Sequence, residues 1–319
     1  MAIKAGSLPI VSVLFKMERR KINTSRTPVF RDAGFELYDP DTAKSAFDRE
    51  TENERKPELY IYSRYRNPTV EAAEDEIMNI ENCEWAILTQ SGMSAIDTAL
   101  SIFQKGKTNK TWLFFSEIYG GTLAYAKSVL ADRRGLEIST FSPENGRYDL
   151  TQFDETLAKL DPEIVYVETI SNPTLIVASL GQIITRAHRA GIKVIVDNTF
   201  ATPFLCRPLD LGADLVIHSA TKYFSGHGDI TAGIICGNDR LLMKSAVEYR
   251  KYVGHMLSPD DAYRLTTHMK TFALRFTQQC KNASQLSNVL KAAGTIGKVL
   301  YPGLPEHPTH KEAVELFGN

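Results

Sequence analysis

Cysteine is scarce in this chain of 319 residues. There are four, Cys83, Cys206, Cys236 and Cys280, and no two of them form a C-x-x-C pair. This scatter argues against a zinc ribbon or a thioredoxin-type redox site, and it fits a reducing compartment such as the cytoplasm. The His-Glu-x-x-His pattern of zinc hydrolases is also absent. We therefore expect a cytoplasmic protein without a metal site.

Long apolar runs and a surplus of one charge are missing as well. No stretch of 18 apolar residues occurs, so no membrane span is predicted. Lys and Arg total 37 against 38 Asp and Glu, which lacks the basic excess typical of nucleic-acid or membrane-surface proteins. The short apolar stretch at residues 8–15 precedes its basic residues, the reverse of a secretory signal. We interpret it as part of a surface arm.

Short apolar runs alternate with helix-like stretches through the middle of the chain. Hydrophobic residues make up 43% of the chain and charged residues 24%, as in globular proteins, and the length suits about two domains. Continuous apolar runs separated by helical stretches are typical of a parallel sheet covered on both faces. The runs lie at residues 85–89, 112–115, 136–141, 164–168, 192–197 and 215–218.

The same pattern predicts the domain organisation. We expect an α/β domain with a mainly parallel sheet over residues 61–250. Residues 1–60 are predicted to be an N-terminal arm that makes oligomer contacts, with a loop or partner-packing segment at 39–57. Residues 251–319 are predicted to be part of a smaller α+β domain with one or two long helices. Its apolar stripe, taken as core, consists of Tyr263, Leu265, Met269, Phe272, Leu274 and Phe276.

Polar residues follow the predicted strands where ligands bind in an open parallel sheet. The small residues 90–94 follow the first run and open a helix, an arrangement that suits a phosphate group. Tyr119, Asn172, Asp197 and Lys222 follow later runs. An acid, an amide, a phenol and a lysine beside a phosphate turn predict a small-molecule site.

Three motifs in order carry a resemblance to a known family. Residues 219–228 read Ser-Ala-Thr-Lys-Tyr-Phe-Ser-Gly-His-Gly, with Asp-Asn-Thr at 197–199 upstream. Residues 62–69 read Tyr-Ser-Arg-Tyr-Arg-Asn-Pro-Thr, and 90–93 read Gln-Ser-Gly-Met. Together they resemble the pyridoxal-phosphate enzymes of cysteine and methionine metabolism, which include cystathionine γ-synthases, cystathionine γ- and β-lyases, methionine γ-lyases and O-acetylhomoserine sulfhydrylases. The resemblance implies an aspartate-aminotransferase-like large domain followed by a smaller one.

The resemblance also implies a role for individual residues. Lys222 matches the lysine that forms the internal Schiff base with pyridoxal 5′-phosphate, and we expect it to be buried, with a lowered pKa. Asp197 matches the carboxylate that pairs with the ring nitrogen of the cofactor. Tyr119 matches the tyrosine that stacks on the ring and moves protons. Asn172 matches the asparagine near the phenolic oxygen.

The phosphate contacts implied by the resemblance come from two subunits. Within one chain they match Ser91, Gly92, Met93, Ser219 and Thr221. Tyr62 and Arg64 match residues that reach the site of a neighbouring subunit, in a homotetramer built from dimers, and Tyr62 also counts among the catalytic side chains. His218 is interpreted instead as a core histidine, and Cys206 and Cys236 as buried small hydrophobic residues.

The implied activity is γ-elimination or γ-replacement on a sulfur amino acid or a homoserine ester, of the cystathionine γ-lyase or γ-synthase type. O-acetylhomoserine sulfhydrylase, cystathionine β-lyase and methionine γ-lyase remain alternatives. Gly121 departs from the cysteine typical of methionine γ-lyases at this position, which disfavours methionine. The family usually continues past Asn319, into a part that carries a carboxylate-binding arginine. A catalytically weak, cofactor-binding truncated paralogue is therefore the alternative from another class.

Overall fold

The computed structural model describes residues 25–51, 57, 59–104 and 110–318. A sheet of seven strands lies at its centre, in the order β1-β7-β6-β5-β4-β2-β3. The strands are β1 (Trp85–Thr89), β2 (Trp112–Phe115), β3 (Ile138–Phe141), β4 (Ile164–Glu168), β5 (Lys193–Asp197), β6 (Leu215–Ser219) and β7 (Gly233–Gly237). Six of them coincide with the predicted apolar runs, and the α/β class with a mainly parallel sheet is confirmed.

The seventh strand, β7, is one that the sequence pattern does not predict. Its apolar part is only three residues long, Ile-Ile-Cys, and lies between two glycines. It runs antiparallel to both neighbours, β1 and β6, while the other strands pair in parallel. The strand therefore inserts between β1 and β6 and leaves those two pointing the same way.

Helices cover the sheet, and several of them begin at recognisable capping residues. Ser91, Asp149 and Asp239 each accept a hydrogen bond from a backbone N–H of the first helical turn. The helices are α1 (Pro40–Thr51), α2 (Pro68–Glu81), α3 (Gly92–Ser101), α4 (Gly120–Tyr125), α5 (Leu150–Leu160), α6 (Leu180–Arg189), α7 (Thr202–Leu205), α8 (Arg240–Val253), α9 (Pro259–Met269), α10 (Phe272–Ala292) and α11 (His310–Phe317). A π-helical turn, Ala126–Ala131, continues α4.

The core follows the strands. Every residue of β1, β2, β4 and β7 is buried, which is the pattern of a sheet covered on both faces. Cys206 and Cys236 are buried as expected. His218 is fully buried too, and its Nε2 pairs with Glu81, which is equally buried, so the interpretation of His218 as a core residue is confirmed.

Helices α9 and α10 form the predicted long helical region, but the proposed apolar stripe is only partly core. Leu265, Met269, Phe272 and Phe276 are buried, whereas Leu274 is 75% exposed. Phe272 and Phe276 are four residues apart and share one face of α10, while a residue two positions from each lies on the opposite face. Including Leu274 in the core was therefore wrong.

The prediction of a loop within residues 39–57 is also wrong, because most of this range forms helix α1. Asp39 starts this helix by accepting hydrogen bonds from the backbone N–H groups of Asp41 and Thr42. The helix is almost entirely polar, so it carries no apolar period that would announce it. Residues 1–24, including the apolar stretch at 8–15, and residues 52–56 and 58 of the predicted arm lie outside the described residues.

Candidate functional site

Strand order places the chemistry-bearing residues at one edge of the sheet. Glu168, at the end of β4, is directly paired with Asp197, at the end of β5. Gly233 of β7 is paired with the last residues of both β1 and β6, Thr89 and Ser219. The turn that follows β1 is thereby brought beside the lysine loop that follows β6.

Gly233 has to be a glycine for this arrangement to form. A Cβ at this position would lie 2.1 Å from the carbonyl oxygen of Ser91 and 2.6 Å from the Thr89 hydroxyl. Since the first contact is with backbone, the turn at Ser91 would have to move. The close approach of β7 therefore fixes where the turn lies.

A cavity of about 460 Å³ opens at this edge. The nine site residues predicted within one chain all line it: Ser91, Gly92, Met93, Tyr119, Asn172, Asp197, Ser219, Thr221 and Lys222. Six further lining residues were not assigned a role: Ile96, Glu168, Ile170, Thr199, Phe200 and Thr231. Among these six, Glu168 and Thr199 stand directly at or after strand ends, which is the signal that identifies them in retrospect.

One end of the cavity is built to receive an anion. Ser91 caps α3 through a hydrogen bond of 3.0 Å from the Ser94 N–H, and the backbone of Gly92 and Met93 opens that helix. A Cβ at Gly92 would lie 3.0 Å from the Cβ of Ser219, so the helix start and the lysine loop are nearly in contact. Backbone N–H groups and hydroxyls that converge in this way suit a phosphate group.

Asp197 lies deeper in the cavity and is held by three donors. Its Oδ1 accepts hydrogen bonds from the backbone N–H and the hydroxyl of Thr199, at 3.0 and 2.6 Å, and its Oδ2 accepts one of 3.1 Å from Tyr166. The carboxyl group is only 8% exposed. Tyr166, inside β4, is a supporting residue that the sequence did not reveal. Such a fixed carboxylate suits a positively charged ring nitrogen.

The two groups expected to react are both exposed. Lys222 was expected to be buried, but it is exposed, and it forms no ion pair within the described residues. The physical reason is that the lysine borders the open cavity instead of the packed core. Tyr119 is likewise 52% exposed. Its ring lies across Gly121, where a Cβ would come within 2.4 Å of Cε1.

Glu168 is the second carboxyl group of the site. It is 7% exposed, and its Oε1 accepts a hydrogen bond of 2.7 Å from the backbone N–H of Tyr119. Burial, together with the negative charge of neighbouring Asp197, raises the pKa of Glu168 to about 9. Since this pKa lies above neutral pH, Glu168 keeps its proton at pH 7.

Tyr62 and Arg64 lie apart from the residues that line this cavity. The Arg64 guanidinium is close to the rings of Tyr62 and Tyr65, at 5.4 and 5.1 Å, and it donates a hydrogen bond of 2.5 Å to the backbone oxygen of Lys251. Tyr62 is 40% exposed. Their expected role in a neighbouring subunit thus stays a prediction, and they do not reach the site of their own chain.

Metal chemistry has no visible support in the described ranges. No group of three or more His, Cys, Asp or Glu side chains there is arranged to hold a metal ion. In the same part of the chain, no helix is both long and apolar enough to cross a bilayer.

Comparison with known proteins identifies the family. The family model of the Cys/Met metabolism PLP-dependent enzymes matches residues 12–317. The chain belongs to this family. It is 39% identical to an L-methionine gamma-lyase of Fusobacterium nucleatum subsp. polymorphum, a match that covers 81% of the chain and 65% of the relative. It is 36% identical to a cystathionine beta-lyase of Lactococcus lactis subsp. cremoris, over 82% of the chain and 68% of the relative.

A solved structure matches the fold as well. Cystathionine gamma synthase from Xanthomonas oryzae pv. oryzae, in complex with aminoacrylate and cysteine, superposes with a TM-score of 0.78 at 28% identity, over 91% of this chain and 70% of that one. The aspartate-aminotransferase-like fold implied by the motifs is thereby supported. The chain spans about two thirds of the length of the relatives it matches.

The raised pKa of Glu168 predicts how stability depends on pH. Between its ordinary pKa of 4.5 and the folded-state pKa of about 9, the folded chain keeps a proton that the unfolded chain releases. The stability of the cofactor-free protein therefore falls as pH rises through this window. Glu168→Gln cannot ionise, so its melting temperature should exceed that of the wild type by a margin that grows from pH 5 to pH 9.

The matched control is Glu163→Gln, one residue before the opposite end of β4, where the side chain contacts the Trp112 indole instead of the cavity. Thermal unfolding at pH 5, 7 and 9 checks the prediction. A Glu168→Gln margin that stays constant with pH would show that Glu168 ionises normally in the folded chain.

Proposed function

We propose that this chain carries the cofactor site of a pyridoxal-phosphate enzyme that performs γ-elimination or γ-replacement on a sulfur amino acid or homoserine ester, of the cystathionine γ-lyase or γ-synthase type. One observation carries the proposal: Lys222, Asp197 and the phosphate turn at Ser91 line a single cavity. The donor set fits the cofactor, since it offers an amine, a fixed buried carboxylate and an anion-binding turn at one sheet edge.

When bound, pyridoxal phosphate supplies an electron-withdrawing ring that stabilises negative charge on a substrate carbon. Asp197 would hold the ring nitrogen, Asn172 would lie by the phenolic oxygen, and Ser91, Gly92, Met93, Ser219 and Thr221 would hold the phosphate. The Lys222 amine would anchor the cofactor and then take the α-proton of the substrate. The Tyr119 phenol would act as acid or base towards the leaving group.

Three other activities remain candidates for the same site. Named relatives include a methionine gamma-lyase and a cystathionine beta-lyase, and the resemblance also covers O-acetylhomoserine sulfhydrylases. The glycine at position 121 favours the cystathionine and homoserine-ester substrates over methionine. A cofactor-binding but catalytically weak protein is the candidate from another class. Product formation from cystathionine, methionine and O-acetylhomoserine separates these activities, and cofactor binding without any product would favour the last.

We further propose a cytoplasmic homo-oligomer, a tetramer built from dimers. The four cysteines are free, which fits a reducing compartment. Tyr62 and Arg64 lie away from their own cavity, as expected of residues that complete the site of a neighbour. A planar guanidinium binds a phosphate through two hydrogen bonds, which suits Arg64 to this task.

Lys222→Ala tests the proposed cofactor site directly. Because the variant lacks the anchoring amine, we expect purified protein without the visible absorbance band of the bound cofactor and with no detectable turnover. Lys281→Ala, an exposed lysine on α10, is the matched control and should keep both. An unchanged visible spectrum in Lys222→Ala would contradict the assignment.

Arg64 is tested by mixing chains. Arg64→Ala and Lys222→Ala should each be inactive, but after co-refolding an equal mixture should recover about a quarter of wild-type activity. In a random mixture half of the dimers are mixed, and each mixed dimer has one native site out of two. A mixture of Arg64→Ala with the double variant Arg64→Ala/Lys222→Ala contains no native site and serves as control. No recovery in the first mixture would mean that Arg64 does not serve a neighbour.

Gly121→Cys tests the selection of substrate. The added Cβ would displace the Tyr119 ring, which forms one wall of the cavity. We expect the ratio of kcat/KM for methionine to that for cystathionine to rise about tenfold, within the range that one carbon in a pocket supplies. A Cβ at position 120 would have no atom within 4 Å, so Gly120→Cys should leave the ratio unchanged. Equal ratios in both variants would show that position 121 does not select the substrate.

A further inference from the structure

The backbone of Tyr119 and its side chain are held very differently. The Tyr119 carbonyl accepts hydrogen bonds from Thr122 and Leu123 as α4 begins, and its N–H donates to Glu168. Its phenol, in contrast, forms no hydrogen bond within the described residues, and the ring is half-exposed. Hydrogen bonds therefore fix the backbone of Tyr119 but not its ring, and the backbone determines from which direction the ring can reach the cavity.

Glu168 is itself rigidly placed. It is the last residue of β4, paired with Asp197 of β5 in the centre of the sheet, and it is almost completely buried. The backbone N–H of Tyr119, the residue just before α4, is thus tied to a strand end by one hydrogen bond of 2.7 Å. In the segment before Tyr119, the Ser116 N–H donates to the Phe141 carbonyl and Glu117 accepts a hydrogen bond from the Thr174 hydroxyl, so these two residues are anchored to other parts of the chain.

Other charged and titratable groups near Glu168 leave this bond intact. Asp197 on β5 lies beside it, and Tyr148, before α5, lies near enough to interact electrostatically with both Glu168 and Glu117. The second oxygen of Glu168 has no partner among the described residues and is not sealed from solvent, so it faces the cavity that Glu168 lines. Among the described residues, only Oε1 of Glu168 accepts a hydrogen bond, and its donor is the backbone N–H of Tyr119.

We propose that Glu168 is a positioning residue of this site, whose carboxyl group fixes the backbone of Tyr119 so that the ring can cover a bound aromatic cofactor. The inference rests on the cofactor site proposed above. Loss of the bond leaves the ring with more orientations, and only a fraction of them suit stacking. The apparent dissociation constant of the cofactor rises as that fraction falls.

Two variants of similar size separate the hydrogen bond from mere packing. Glu168→Gln keeps an oxygen acceptor for the Tyr119 N–H, whereas Glu168→Met fills the same space without one. Both remove a buried acid, so both should remain folded. Glu163→Met, at the opposite end of the strand, is the control for loss of a glutamate from this region.

The measurement is equilibrium titration of cofactor-free protein with pyridoxal phosphate, followed by visible absorbance and by quenching of the fluorescence of Trp85 and Trp112, with no turnover involved. Glu168→Met should weaken binding about three- to tenfold, the range expected for one hydrogen bond. Glu168→Gln and Glu163→Met should stay within about twofold of the wild type. Equal weakening by Met and Gln at position 168 would overturn the proposal.

A double-variant cycle shows whether Glu168 acts through Tyr119. In a Tyr119→Ala background, Glu168→Met should change the dissociation constant by less than about twofold, because the positioned ring is already gone. Full additivity of the two losses would mean that Glu168 touches the cofactor independently, and it would refute a positioning role. If wild-type protein bound no pyridoxal phosphate at all, the proposed function would itself be wrong, which the wild-type titration reveals first.

Discussion

The insertion of the antiparallel strand β7 between β1 and β6 is the constraint on which the candidate site depends. It pairs Gly233 with the ends of both neighbours, Thr89 and Ser219. Without it, the anion-binding turn after β1 and the lysine loop after β6 would have no common edge. The contact is so close that only glycine fits at position 233. A short strand with little apolar character thus determines where two separate motifs meet.

Much of the site could be predicted from the sequence because its residues follow predicted strands directly in the chain. A buried strand reads as an apolar run, and the polar residues directly after it lie at the ligand edge. Asp197 and Lys222 were found in this way and line one cavity. Tyr166 and Glu168 were not assigned, because their contacts to Asp197 and Tyr119 depend on strand register and on a long-range approach. No local pattern predicts these two contacts, although the position of Glu168 at the end of β4 places it at the ligand edge.

The structural errors have the same origin. Helix α1 was missed because it is almost entirely polar, so its clearest signal was the cap at Asp39. Leu274 was placed in the core because its neighbours were apolar, although the helical period turns it away from them. Lys222 was expected to be buried because its family role needs a shielded amine. In the described chain, Lys222 borders the cavity and its side chain is exposed.

The residues that would hold a cofactor are fixed by hydrogen bonds, whereas the groups that would react are exposed. Asp197 and the turn at Ser91, which would hold a cofactor, are fixed by several hydrogen bonds. Lys222 and the Tyr119 ring, which would react, are exposed. Glu168 joins the two parts, since it is buried beside Asp197 and holds the backbone of Tyr119. Two adjacent buried carboxyl groups lower the free energy of unfolding. The site keeps both because they position the groups that would react, at a cost in stability.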